Sequence, residues 1–359
     1  MIRTAAPALL VLASPIASAR TAPLPPVPLK PAPLQPADEI QKDDQLVQSI
    51  GWRLARANAR FCARAGPGVG IMLQDARTFD DPALARAVYG LSGDIGIAAI
   101  ARDGPAPAAG LPLNATLTAL DGLAIASLPA PRPGHWDRQM ALQDRLEQAV
   151  RHKGAVTLTL AGPLAGGQSL TISGQTVCTV RFLMDDSTGN AGANRDIVRI
   201  GRPMAEALHW DEAEVAALMA HEMAHAVLDH QTWLAHGGST RKAEREADRL
   251  SVWLLANAGY DPQAAPRWIA KIGPRYQIGF LVSPSHGGWR TRARDMTAEI
   301  ATMQAARAGS PEAGSQEAGS QEAGSQEADW PRLFRREEGA PAMPTVSHDE
   351  AMAQTPATR

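Results

Sequence analysis

The chain has 359 residues and a formal net charge of −2, from 35 basic and 37 acidic side chains. That length allows two domains of ordinary size plus tails, and the near-neutral balance lacks the basic excess of a nucleic-acid-binding protein. Hydrophobic content is ordinary, aromatic residues make up only 4% of the chain, and alanine, glycine and proline are abundant. No unbroken apolar run is long enough for a membrane span, which needs about 18 residues or more.

Residues 1–19 read as a secretory signal peptide. Arg3 supplies the positive start, Ala5 to Leu12 a short apolar stretch, and Ala17-Ser18-Ala19 a cleavage site of the A-x-A type. The expected product is exported and periplasmic. A proline-rich linker over 20–37 follows, extended by composition, and then a helical segment within 38–66. Cys62 and Cys178 are the only two cysteines. In an exported protein such a pair predicts a disulfide. The bridge would staple the helix near residues 42–64 to the chain beyond 177, a constraint of about 4–5 kcal/mol in the chain-entropy model.

Residues 67–176 form a second module. Ile95 to Ala101 is an apolar, strand-like run, and residues 79–92 read as a helical insertion before it. A turn of small residues, Gly104 to Leu111, leads into Ala115 to Gly122. A helix at about 137–152 places Leu142, Leu146 and Ala149 or Val150 on one face, and Ala155 to Leu160 alternates as a strand. This order resembles the middle and end of a PDZ domain, although Leu113-Asn114 stands where such domains carry Gly-Asp and no carboxylate-binding loop is evident. The resemblance implies client binding along a sheet edge; the alternative role is packing or regulation with no peptide in the groove.

The chemistry lies in His221-Glu222-Met223-Ala224-His225. Asp211 and Glu214 read as a capping box before the apolar run Val215 to Met219, predicting a helix that continues to about Leu234 and stops near Gly237-Gly238. Four residues apart on a helix, His221 and His225 share a face and can offer two imidazole nitrogens to one zinc ion, with Glu222 beside them as a base for water. A second helix is expected from Thr240, a candidate N-cap, through Ala258, with Gly259 as its stop. It carries Glu244-Arg245-Glu246-Ala247-Asp248. Glu244 and Asp248 share a face, so one can bind the metal while the other orients a ligand histidine. Glu246 lies about 160° around the helix from Glu244 and reads as part of a solvated, arginine-laced face.

HEMAH, EREAD and AGYDP, in this order, resemble the zinc metallopeptidase family of CAAX prenyl proteases and HtpX over about residues 177–306, and Asn190-Ala191 resembles a pair that this family places before its active-site helix. The resemblance implies one Zn²⁺ per chain held by His221, His225 and Glu244, with Asp248 supporting a ligand and Glu222 as general base; the signal peptide and the lack of a long apolar run would set the chain apart from the integral-membrane members, in a soluble, exported branch. It implies an α+β fold: a mainly helical zincin (gluzincin-type) catalytic domain with a small sheet, plus the inserted PDZ-like α/β module. Protein or peptide substrates, drawn from unfolded or misassembled envelope proteins, would lie extended along an edge strand near 177–184 or 196–201. One departure stands out: where the family has His-Pro and then an arginine, this chain has Ser283-Pro284-Ser285-His286-Gly287-Gly288-Trp289-Arg290. His286 or Arg290 is then the candidate for stabilising the oxyanion, and His286 is otherwise a bystander in a loop. Two other readings use the same residues: a periplasmic chaperone or scaffold whose zinc site is structural or self-inhibited, and a metal-dependent amidase. Glu222 favours the enzyme, since a structural site needs no base. Beyond the metallopeptidase region, Glu312 to Ala328 repeats Glu-Ala-Gly-Ser-Gln and the whole of 307–359 is expected to be disordered; Trp330, Leu333 and Phe334 offer a docking segment as the alternative to a loose tail.

Overall fold

The computed structural model describes residues 37–162, 167–186, 188–276, 287–308 and 330–343. It is a mixed α+β chain with two hydrophobic cores. A long helix, α1 (Ala37–Ala57), opens it and ends where Asn58, fully buried, bonds the Leu54 and Leu254 carbonyls. Strand β1 (Ala65–Gly68) then leads into the insert: β2 (Ile71–Asp75), α2 (Pro82–Tyr89), β3 (Ile95–Ile100), α3 (Pro105–Ala108), β4 (Leu117–Leu120), β5 (Leu123–Ala124), α4 (Asp137–Lys153), β6 (Ala155–Leu160) and β7 (Gln168–Ser173). Strand β8 (Gln175–Cys178) returns antiparallel to β1, pairing Ala65 with Cys178 and Gly68 with Gln175. The insert therefore leaves and re-enters the main body through one two-stranded neck. The Cys62–Cys178 disulfide, with its Cα atoms 5.7 Å apart, closes that neck as the cysteine count predicts.

The insert has its own core. Val156, Leu158 and Leu160 alternate inward along β6, in the order β5-β4-β6-β7, and meet Leu142, Leu146 and Val150 of α4. β2 and β3 form a separate antiparallel pair. The side of β2 facing α4 is already occupied: Gln143 accepts from Leu73 N–H (3.1 Å) and donates to the Ile71 carbonyl (3.0 Å), while Gln139 accepts from Asp75 N–H (3.3 Å) and donates to the Leu73 carbonyl (2.9 Å). Two side-chain amides thus take the place of a neighbouring strand. Arg138 adds a bidentate ion pair to the buried Asp75.

After the neck come β9 (Arg181–Asp185), β10 (Ala191–Ala193) and β11 (Ile197–Gly201), arranged β10-β11-β9. Residues 197–201 thus form the centre of this sheet rather than an edge, and β10 is the edge strand that packs on the motif helix. Helices α5 (Arg202–Ala207), α6 (Glu212–Val227), α7 (His230–Ala235), α8 (Thr240–Asn257), α9 (Ala264–Ile272) and α10 (Trp289–Ala308) follow. The expected single helix to Leu234 is in fact two. Asp229 adopts a left-handed conformation (φ 52°), which aspartate tolerates better than most residues, and its carboxylate accepts from Thr232 Oγ1. α8 ends as predicted, with Gly259 at φ 70° just past it.

Part of the expected loose tail is ordered. The short helix α11 (Trp330–Leu333) begins a segment to Met343 that packs on the main body, burying Trp330 and Phe334, with Trp330 edge-on to Phe61. Two large aromatic rings are enough apolar surface to dock a short segment. The repeat at Glu312 to Ala328, the signal-like residues 1–19 and the linker lie outside the described residues. No helix among the described residues is long and apolar enough to cross a membrane.

Replacing Gln139 and Gln143 together with alanine should leave the Leu73 and Asp75 amides without their acceptors. Hydrogen exchange at these two amides is expected to speed up by about tenfold, the scale of one net hydrogen bond, while amides of β6 stay unchanged. Unaltered exchange at both would show that the glutamines do not close this edge.

Candidate metal centre

Helix α6 is deeply enclosed in the main body. Asp211 caps it by accepting from Glu214 N–H at 3.0 Å, and every side chain from Val215 to Ala224 is buried. A helix apolar all round belongs inside a fold. Its small residues, Ala216, Ala217, Ala220 and Ala224, let neighbouring backbones approach. Two polar side chains, His221 and Glu222, are thereby carried into the interior, and each is less than a tenth exposed.

α8 packs along α6 and brings Glu244 over the two histidines. His221 Nε2 and His225 Nε2 are 3.3 Å apart; Glu244 Oε2 lies 3.5 Å from the first and Glu244 Oε1 3.6 Å from the second. Three donor atoms from three side chains converge on one point, and this group could hold a metal ion. Glu222 sits beside it on the wall of a cavity of about 330 Å³, with Asn190, Ala191, Trp268, Trp289 and Arg292 among the other lining residues. A larger cavity of about 520 Å³ lies between α4 and β9, away from this cluster. Its two arginines are already paired, Arg181 with Asp144 and Glu147 and Arg151 with Glu147.

Each histidine is held from behind. His221 Nδ1 lies 3.0 Å from Asp248 Oδ1, and Arg292 grips Asp248 through two bonds of 2.7 Å. His225 Nδ1 lies 2.9 Å from His230 Nδ1, whose Nε2 lies 3.0 Å from Glu246 Oε2. Glu246 also receives the Arg336 guanidinium (2.7 Å) and the Glu337 backbone N–H. The expectation that Glu246 is solvated is therefore corrected: it is fully buried. Its face of α8 does point away from Glu244, as the helical geometry requires, but the C-terminal segment covers that face.

His221, Glu222, His225, Glu244 and Asp248 thus come together as the sequence anticipates. Arg290 does not join them; it lies over the Trp289 ring, 4.4 Å from its centroid. Two residues further along a helix is a rotation of about 200°, so Arg292, and not Arg290, faces the site. His286 lies outside the described residues. His230, Glu246, Arg292 and Arg336 were not anticipated. A faint signal exists for His230, a third histidine five residues after His225, but the break at Asp229 that turns it inward is not visible in the helical pattern.

The electrostatics follow from burial. Burial alone disfavours charge on His221, yet Asp248 and Glu244 overrule it and raise its pKa to about 10. His225, by burial and by repulsion from His221, is pushed down to about 3. Asp248 is buried too, but Arg292 and His221 hold it well below the usual carboxylate range. Glu222 has no such partner, and burial raises it from 4.5 to about 7. Asp248 and Glu244 thus draw a proton onto His221; a metal ion would compete with that proton, so binding must weaken as pH falls.

Compared with protein-family models and with curated proteins, the chain finds no match to either.

A raised carboxyl pKa is a cost to the folded state at high pH. In the metal-free protein Glu222 opposes folding increasingly as pH rises from 4.5 through about 7, and not below that window. Glu222→Gln is expected to stabilise the metal-free protein at pH 8 by up to about 3 kcal/mol, at about 1.4 kcal/mol per pH unit, and to change little at pH 4. Thermal unfolding with a chelator present at both pH values reads this directly. Equal midpoints at pH 8 would mean that Glu222 ionises in the fold without penalty.

Proposed function

We propose that this protein is an exported zinc-dependent endopeptidase that cleaves extended segments of proteins or peptides. One observation carries the reading: a buried carboxylate, Glu222, stands beside a convergent His-His-Glu donor set and opens onto a cavity at the edge of a sheet. A structural metal site needs neither the base nor the cavity, which weighs against a scaffold with a structural zinc. The donor set suits zinc. Two nitrogens bound tetrahedrally at about 2.0–2.1 Å lie about 3.3 Å apart, the separation between His221 Nε2 and His225 Nε2.

When bound, the ion would supply Lewis acidity, lowering the pKa of a water and polarising a carbonyl. His221, His225 and Glu244 would hold it. Glu222 would take the proton of the attacking water and pass it to the leaving amine, roles that suit a group titrating near neutrality. Strand β10 is the place for substrate: it lies at the sheet edge, and Asn190 and Ala191 reach the cavity wall. The main body is read as the mainly helical zincin domain and the insert as the PDZ-like module. Because Gln139 and Gln143 occupy the β2 edge, the insert is assigned to packing rather than to client capture. The disulfide supports an oxidising compartment.

Zinc content and casein cleavage test the reading. Glu222→Gln should keep zinc and lose activity by about 10²-fold or more, the scale of a general base; Glu244→Ala should lose the metal. Wild-type cleavage by Glu222→Gln, or full zinc in Glu244→Ala, would overturn the assignment.

A further inference from the structure

Arg336 and Glu337 are separated from the α6 motif by more than a hundred residues of chain, yet they end a continuous hydrogen-bonded path to it. If His225 binds a metal through Nε2, its other nitrogen, Nδ1, carries the proton. That proton points at His230 Nδ1, 2.9 Å away, which must then accept. The proton of His230 therefore sits on Nε2 and points at Glu246 Oε2 at 3.0 Å. Glu246 can only accept, and it is fixed from the far side by Arg336, through bonds of 2.7, 2.9 and 3.0 Å, and by the Glu337 backbone. Each donor and acceptor role along the path follows from the one before it. His230 and Glu246 are both about 1% exposed or less, so in the intact fold their partners are these side chains and not bulk water. The segment carrying Arg336 is itself clamped: Glu337 also pairs with Arg245 (2.6 Å) and Arg249, and Trp330 and Phe334 are buried.

We propose that His230, Glu246 and Arg336 form a positioning relay for His225, and that the C-terminal segment Trp330–Met343 is a strap that completes the metal site from behind. The inference rests on the metal-site reading above. Arg292 does the equivalent work for His221 through Asp248 from within the metallopeptidase region, whereas the support for His225 comes from beyond the Glu-Ala-Gly-Ser-Gln repeat. The strap is a positioning element: neither Arg336 nor Glu246 faces the cavity.

The test is zinc affinity of the full chain by chelator competition, with the visible absorption of the Co²⁺-loaded protein as a second readout. His230→Phe keeps a ring of similar size but cannot accept from His225. Arg336→Ala removes the guanidinium, Arg336→Lys keeps the charge, and Arg335→Ala, at an exposed neighbour, is the control. His230→Phe and Arg336→Ala are each expected to weaken zinc binding by about 10–100-fold, the usual cost of losing an outer support of a ligand, and to shift the Co²⁺ spectrum. Arg336→Lys should recover part of the loss, and Arg335→Ala should match wild type. Unfolding of the metal-free variants separates loss of fold from loss of relay: a folded Arg336→Ala that binds zinc like wild type overturns the strap. If only His230→Phe weakens binding, the path stops at Glu246 and the strap is likewise overturned. If the wild type binds no zinc, the metal-site reading itself falls, and the relay with it.

Discussion

The rest of the structure is arranged around an excess of buried negative charge at α6. Glu222, Glu244 and Asp248 are all less than a tenth exposed, and the one guanidinium among them, Arg292, is committed to Asp248. Three carboxylates in a space of low dielectric are costly unless something positive shares it. Asp248 solves its share with Arg292 and stays ionised. Glu222 solves it by rising to about 7, and the pair of Glu244 and Asp248 solves it by holding a proton on His221. A divalent cation between His221, His225 and Glu244 answers the same imbalance without protons. The charge of the cluster thus favours a cation before any ligand geometry is considered.

That imbalance also explains why both histidines need support from outside. An imidazole in a helix can rotate about two bonds, and a buried carboxylate nearby pulls it toward whichever nitrogen carries a proton. Asp248 with Arg292 fixes His221, and His230 with Glu246 and Arg336 fixes His225. Both paths end in an arginine, which keeps its charge at any ordinary pH and binds a carboxylate through a planar fork. Removing one end of such a buried pair leaves the other uncompensated, at a cost of about 3–5 kcal/mol. The arginines are therefore part of the fold as much as of the site.

What the sequence made legible was local. The capping residue Asp211, the four-residue spacing of the histidines, the face shared by Glu244 and Asp248, and the stop at Gly259 all depend on helical geometry within a few residues, and all stand as read. The cysteine pairing was legible because there were only two. What escaped depends on which surface covers which. Glu246 looked solvated because its helical face carries arginines; it is buried because a segment some ninety residues later lies on that face. Arg292 escaped because the choice between it and Arg290 turns on where α10 begins, and helix starts are the least certain part of any periodicity. His230 escaped because one left-handed residue, Asp229, redirects the chain, and aspartate in that position has no obligatory signature.

The insert could be taken for an appendage on a narrow neck, but α1 makes that view untenable. One face of α1 lies in the main core through Val47, Ile50 and Leu54. The other satisfies the backbone of the insert: Gln45 accepts from Ile100 N–H, Gln41 donates to the Ala98 carbonyl, Ser49 accepts from Arg102 N–H and Trp52 donates to the Asp103 carbonyl. These bonds lie on the strand and turn that begin the second core, so the insert cannot swing about its neck without stripping them. α1 in turn meets the sheet at Gly51, where an added Cβ would fall 2.4 Å from the Phe182 ring of β9. Only glycine allows that approach. Through β9 and β11 the contact continues to β10, which flanks the motif helix. A displacement of the insert must therefore move α1, and α1 cannot move without pressing on the sheet whose far edge borders the His221, His225 and Glu244 cluster.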